Sequence, residues 1–238
     1  MIKRLCGAGA VAIGLGLTAP ASAVVVSLDF EGINNTYPSG FANILEYYNG
    51  GLSSDGTTGT NYGISFGSNA LAICLNSTSV VCSNTSRGGL GAPGSQKGGL
   101  FFLDGSETFL NVAAGFDTGF SFNYVSFSFS GSVSVYDGLN GTGNLLATLN
   151  LSPNAGSCPG YSAQFCPFSP VGVTFAGIAR SISFAGVANQ IVFDDVTFGS
   201  KDPGPKVPEP ATWAMMLAGF GAIGGAMRSR RKAAVSFG

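Results

Sequence analysis

Between Leu28 and Phe198 apolar residues recur at every second position, in short runs broken by Gly, Ser and Asn. Leu28 and Phe30 alternate with Asp29 and Glu31. Tyr62, Ile64 and Phe66 alternate with Gly63 and Ser65, and Phe120, Phe122 and Tyr124 with Ser121 and Asn123. A period of two marks a strand with one apolar and one polar face. After Tyr124 the apolar parity moves to Val125, Phe127, Phe129, Val133 and Val135. One extra residue flips every later side chain, so the shift predicts a bulge or tight turn near Val125. Residues 137–143 predict a turn, and Leu145, Ala147, Leu149 and Leu151 the returning strand. Val171, Val173 and Phe175, then Ile182 and Phe184, then residues 191–198 complete the series. No stretch between Val24 and Lys206 carries a sustained 3.6-residue period. The pattern predicts an all-β ectodomain, a two-sheet antiparallel sandwich of jelly-roll-like form. Residues 85–99 read as a long Gly-rich loop between its halves.

The two ends break the pattern. Lys3 and Arg4 precede an apolar stretch from Leu5 to Leu17, followed by Ala21-Ser22-Ala23. This is the form of a signal peptide over residues 1–23, cut by signal peptidase between Ala23 and Val24. At the other end, Pro208, Glu209 and Pro210 precede seventeen apolar or small residues, 211–227. At about 1.5 Å per residue these give a helix of roughly 25 Å, enough to span a thin bilayer once. Two prolines cannot sit inside a helix, so the tripeptide stays extended at the membrane surface. Arg228, Arg230, Arg231 and Lys232 hold the far end on the cytoplasmic side. The chain thus divides into signal peptide 1–23, ectodomain 24–199, linker 200–207 and a C-terminal segment 208–232.

That C-terminal order of Pro-Glu-Pro, apolar helix and arginine cluster resembles the PEP-CTERM sorting signal of Gram-negative bacteria. The resemblance covers Pro208, Glu209, Pro210, Trp213, Ala214, the Gly-Phe-Gly at 219–221, Gly224 and the arginines. It implies export, a temporary anchor in the inner membrane, and recognition of Pro208-Glu209-Pro210 by a transpeptidase-like exosortase. The expected endpoint is the cell surface or the extracellular matrix.

Charge narrows the choice of partners. Residues 24–207 hold eleven acids against five cations, a net charge of −6, because most of the positive charge lies in the two end segments. Nucleic-acid binding rests on neutralising phosphates and is excluded. Four cysteines, Cys74 with Cys82 and Cys158 with Cys166, repeat one spacing on a chain bound for an oxidising compartment. They predict two local disulfides, each stabilising by roughly 2–3 kcal/mol.

Catalytic chemistry finds little here. Gly63-x-Ser65-x-Gly67 has the serine-hydrolase spacing, but the chain contains no histidine to serve as base. Gly89-x-Gly91-x-x-Gly94 has no helix after it to meet a pyrophosphate. Asp104 and Glu107 are the nearest carboxylate pair and read as loop residues beside a Gly turn. The expectation is a non-catalytic protein.

Asp29 and Glu31 open the first strand and Asp194 and Asp195 lie in the last. The arrangement resembles secreted carbohydrate-binding jelly rolls, whose terminal strands run side by side. In that family carboxylates at these places can hold a structural Ca²⁺ ion; convergence of these four acids would create a repulsion that such a hard cation relieves, so a structural calcium at Asp29, Glu31, Asp194 and Asp195 is the expectation, with no other cofactor. Two functions remain open. One is a cell-envelope or matrix protein associated with exopolysaccharide or biofilm, which follows from the sorting signal. The other is a carbohydrate-binding module using Tyr37, Tyr47, Tyr48 and Tyr161 as stacking platforms, since Trp213 lies in the anchor.

Overall fold

The computed structural model describes residues 25–34, 41–73, 75, 91–92, 97–157 and 165–204, with 216, 219–221, 223, 224 and 228 near the C-terminus. Apart from those last positions and one short 3-10 turn, Tyr47–Asn49, the regular structure is β. In chain order the strands are β1 Val26–Leu28, β2 Phe41–Asn43, β3 Ile64–Phe66, β4 Leu71–Ile73, β5 Leu100–Phe101 and β6 Glu107–Phe116. They continue with β7 Gly119–Ser126, β8 Gly131–Tyr136, β9 Leu145–Leu151, β10 Ser169–Thr174, β11 Ala179–Ala185 and β12 Ile191–Phe198.

These build two antiparallel sheets. The larger runs β10-β7-β12-β5-β4-β2, with β1 also on β12; the smaller runs β3-β6-β11-β8-β9. β12 is flanked by β7 on one edge. Its other edge takes β5 at Phe193 and β1 at residues 196–198. Phe120, Phe122 and Phe193 from the larger sheet meet Leu110, Val133, Ile182 and Phe184 from the smaller in one buried core. Phe184 and Phe193 join the sheets edge to face, centroids 4.8 Å apart at 60°. Such pairs add about 0.5–1.5 kcal/mol beyond their burial.

The outer face of the larger sheet is also covered. Leu71, Ile73, Phe101, Val125 and Val192 form a second core with Phe165 and Phe168. All eight residues of β7 and all eight of β12 are therefore buried.

This two-sided burial corrects the parity reading. Val125 does not follow a bulge in β7; it packs into the second core while Phe120, Phe122 and Tyr124 pack into the first. The bulge lies on the partner strand, where the register shifts between Asp194 opposite Asn123 and Thr197 opposite Ser121. Phe127 and Phe129, counted as strand residues, are exposed in the turn to β8.

The 137–143 turn forms as expected. Asn144 donates to both carboxylate oxygens of Asp137, from its backbone N at 2.6 Å and its Nδ2 at 2.8 Å, which holds that carboxyl below its ordinary range. Gly143, at φ 81°, passes so close that a Cβ would strike Asp137 Oδ1. In β9 a shift puts Tyr136 opposite Leu145 and Val135 opposite Ala147. Leu145 is consequently exposed while Leu146, Ala147 and Leu149 lean on the core.

Four strands escaped the sequence pattern. β2, β4 and β5 are two or three residues long, too short to show a period. β6 alternates over Thr108, Leu110 and Val112 but then runs into Ala113, Ala114 and Gly115, which blur the signal. Glu107, expected in a loop, is its first residue.

Among the described residues no helix is long and apolar enough to cross a membrane. The expected span 211–227 lies outside them except for helical positions 216, 219–221, 223 and 224. The signal peptide with its Ala23/Val24 cut, the Pro208-Glu209-Pro210 tripeptide, Cys74, Cys82 and Cys158 lie wholly outside them, as does most of the 85–99 loop. Cys166 is described and buried.

Truncating the ring that joins the two sheets, Phe193→Ala, is expected to destabilise the protein by about 3–5 kcal/mol in urea unfolding. Leu145→Ala, on the exposed side of the bulge, should change stability by less than about 0.5 kcal/mol.

Candidate functional site

The candidate site is a polar groove of about 460 Å³ beside β1, bounded by Ser27, Asp29, Glu31, the Tyr47–Asn49 turn and the run 58–62. It exists because β1 stops early. Phe30 adopts a left-handed backbone, φ 54°, which ends the strand after Leu28. Such a conformation costs about 1–3 kcal/mol and persists only where neighbours hold it. Here the Phe30 ring is buried edge to face against Tyr48 and Phe66, and its backbone N donates to Tyr48 Oη at 3.0 Å.

Phe30 turns inward and leaves its neighbours outside. Asp29 is exposed, and its Oδ1 accepts from Glu31 N at 3.2 Å. Glu31 Oε1 accepts from Lys97 N at 2.8 Å and Gly98 N at 3.1 Å, fixing the carboxylate against the neighbouring segment.

The opposite wall is aromatic. Gly59 N donates to Tyr47 O and Tyr62 N to Tyr48 O, drawing residues 59–62 across the tyrosine turn. Gly59 must lack a side chain, because a Cβ there would collide with the buried Tyr47 ring. Tyr62 stacks over Tyr48 at 6.3 Å and 28°, with 42% of its surface exposed. Burial pushes both Tyr47 and Tyr48 up from the ordinary phenol pKa, Tyr48 well up, and the Asp29 charge adds to each.

A second, smaller cleft of about 260 Å³ adjoins at Tyr62. Ile64, Val112, Phe116 and Phe198 line it at the open edge between the sheets.

The sequence-predicted residues divide unevenly. Tyr47 and Tyr48 are buried, so they support the platform instead of being it. Tyr37 and Tyr161 lie outside the described residues. Tyr62, counted as a core-facing strand position, supplies the exposed ring, since β3 begins only at Ile64. The run Thr57-Thr58-Gly59-Thr60-Asn61 before it was the available signal of a loop.

The terminal strands do pair, with Leu28 opposite Val196. Among the described residues no group of three or more acidic, Cys or His side chains is arranged to hold a metal ion. Asp194 and Asp195 are buried in β12. Asp195 Oδ2 accepts from Asn123 Nδ2 at 2.9 Å, and Asp194 Oδ1 from Asp195 N at 2.7 Å. Asp195, at φ 49°, lies in the bulge, where its side chain meets Asn123.

Past β12 the chain does not leave at once. Ser121 Oγ donates to Ser200 O at 2.9 Å and Gly204 N to Thr197 Oγ1 at 2.9 Å, tying residues 200–204 to the larger sheet. Immediately beyond, residues 206–232 match the family model of the PEP-CTERM protein-sorting motif. The chain carries a PEP-CTERM sorting signal. That signal implies an exported protein, anchored in the membrane until an exosortase cleaves it.

No curated protein matches the sequence. Among solved structures, the K2 cleaved adhesin domain of Lys-gingipain is similar over 74% of this chain and 99% of its own, at 10% identity and a TM-score of 0.42. A glycoside hydrolase family 43 arabinoxylan arabinofuranohydrolase from Bacillus subtilis, in complex with cellotetraose, is similar over 45% of this chain at 19% identity and a TM-score of 0.31. The matched part spans 22% of that enzyme's chain.

The Tyr48 phenol anchors the wall of the groove, and its pH dependence follows. A raised folded pKa means the protonated phenol is favoured in the fold. Its contribution is complete below the unfolded value of about 10 and is lost as pH rises through the folded value. Tyr48→Phe leaves the buried Phe30 N–H without its acceptor and is expected to cost about 1–3 kcal/mol at pH 7. Urea unfolding checks the cost, and the variant should also lose part of the alkaline destabilisation seen above about pH 10.

Proposed function

We propose that this is a non-catalytic cell-envelope or extracellular-matrix protein. Its jelly-roll-like ectodomain is exported, held briefly at the inner membrane, and delivered by an exosortase to the cell surface or matrix, in association with exopolysaccharide. The observation that carries the reading is the sorting motif at 206–232, placed directly after the last strand of a two-sheet domain. The tie of residues 200–204 to the sheet supports it, because the folded domain then ends just short of the recognised tripeptide.

Intact mass of the protein from its native cells tests this. The expected mature chain begins at Val24 and lacks the segment after Pro210, whereas cells without an exosortase keep the whole C-terminus. A Trp213 peptide in material released from exosortase-bearing cells contradicts the sorting step.

A second reading, a carbohydrate-binding module, is favoured by the groove itself. Tyr62 offers an exposed ring beside hydroxyl and carboxylate groups, the combination that holds a sugar by stacking and hydrogen bonds.

The same export route favours local disulfides, Cys74 with Cys82 and Cys158 with Cys166. Non-reducing peptide mapping is expected to recover these two pairs; a peptide joining Cys74 to Cys158 or Cys166 overturns the assignment.

A further inference from the structure

We infer that the groove beside β1 binds an amino sugar, a saccharide whose ring carries a protonated amine; the inference rests on the reading of the groove as a sugar site. Three features of the wall select that ligand.

The first is a prepared ring face. Tyr62 is held over Tyr48 by its own backbone bond to Tyr48 O and by stacking, yet remains 42% exposed. An aromatic face fixed before binding lowers the ordering cost of association and takes the C–H face of a pyranose.

The second is the sign of the charge. Asp29 and Glu31 both line the groove, and no Lys or Arg does among the described residues. Each carboxylate has one oxygen engaged by a neighbouring amide, Asp29 Oδ1 by Glu31 N and Glu31 Oε1 by Lys97 N and Gly98 N. These bonds fix both groups while Asp29 Oδ2 and Glu31 Oε2 carry no hydrogen bond within the described residues. The Asp29 charge reaches the phenols of Tyr47 and Tyr48 as well. Uronate, sulfate or phosphate groups would be repelled, whereas an ammonium gains charge-assisted hydrogen bonds and the negative face of the Tyr62 ring.

The third is the remaining polar lining. Thr58 and Thr60 are exposed, and their hydroxyls donate and accept, as sugar hydroxyls require.

The test is calorimetry on the full-length protein in mild detergent at pH 6, with three oligosaccharides of equal length: glucosamine, N-acetylglucosamine and galacturonate. Glucosamine oligomers are expected to bind about tenfold or more tighter than the N-acetylated ones, with an affinity that falls as salt rises, and galacturonate not at all. Asp29→Asn should reduce the amine preference to near unity. Tyr62→Ala should abolish binding of both, and Tyr62→Phe should retain it. Both positions are exposed, and unchanged melting curves confirm that these variants fold. Asp104→Asn, an exposed acid that does not line the groove, should bind as the parent does. If it loses as much affinity as Asp29→Asn, the attraction is that of any polycation for an acidic surface and the inference fails. Equal affinity for the amine and acetylated oligomers overturns the amino-sugar assignment and leaves the sugar site standing. No binding by any of the three overturns both.

Discussion

Everything in the ectodomain depends on β12 being seated between β7 and the pair β1 and β5. It is buried along its whole length, and it contributes Phe193 and Phe198 to one core and Val192 to the other. It is also the last strand, so its partner β1 must come from the opposite end of the sequence: the Thr197 to Ser27 side-chain bond spans 170 residues. Closing so long a loop is entropically unfavourable, and nothing compensates until the strand is in place. The larger sheet is therefore incomplete until nearly the whole ectodomain has been exported.

That constraint also explains the polar residues buried inside β12. A strand covered on both faces leaves no solvent side for Asp194 and Asp195, and a buried carboxylate is tolerated only where hydrogen bonds replace water. Asn123 on the adjacent strand and the bulge at Asp195 supply them. Thr197, beyond the bulge, donates to Asp195 O and accepts from Gly204 N, so one hydroxyl joins the bulge to the chain's exit. The acids that sequence proximity to a strand end would place on the surface are part of the interior bonding of the sheet.

The alternation of apolar residues was sufficient to read the all-β class and most long strands, because one-sided burial writes itself directly as a period of two. It failed where burial was two-sided or the strand was short. The shift after Tyr124 could not be told from a bulge, since Val125 faces a second core assembled from Leu71, Phe101 and Phe165, which no local pattern reveals. The groove was harder still. Asp29 and Glu31 were legible as charged positions, and the nearness of the terminal strands was implied only by the resemblance to carbohydrate-binding jelly rolls. Which tyrosine would be exposed was not legible. Tyr47 and Tyr48 are buried because residues 59–62 are drawn over them by backbone bonds, and exposure passes to Tyr62 for the same reason.

Topology then relates the groove to the point where the chain leaves the domain. β12 runs toward the sorting signal and ends at Phe198, opposite Val26 at the start of β1. Because the two strands are antiparallel, β1 leads away from that exit: Asp29 and Glu31 lie further along it than Val26, while Phe198 belongs to the apolar cleft at the near end. Residues 200–204 are bonded back to β7 and β12, so little free chain separates the folded domain from the match that begins at residue 206. The register of β1 on β12 therefore separates the carboxylates of the polar groove from the end at which the chain leaves β12.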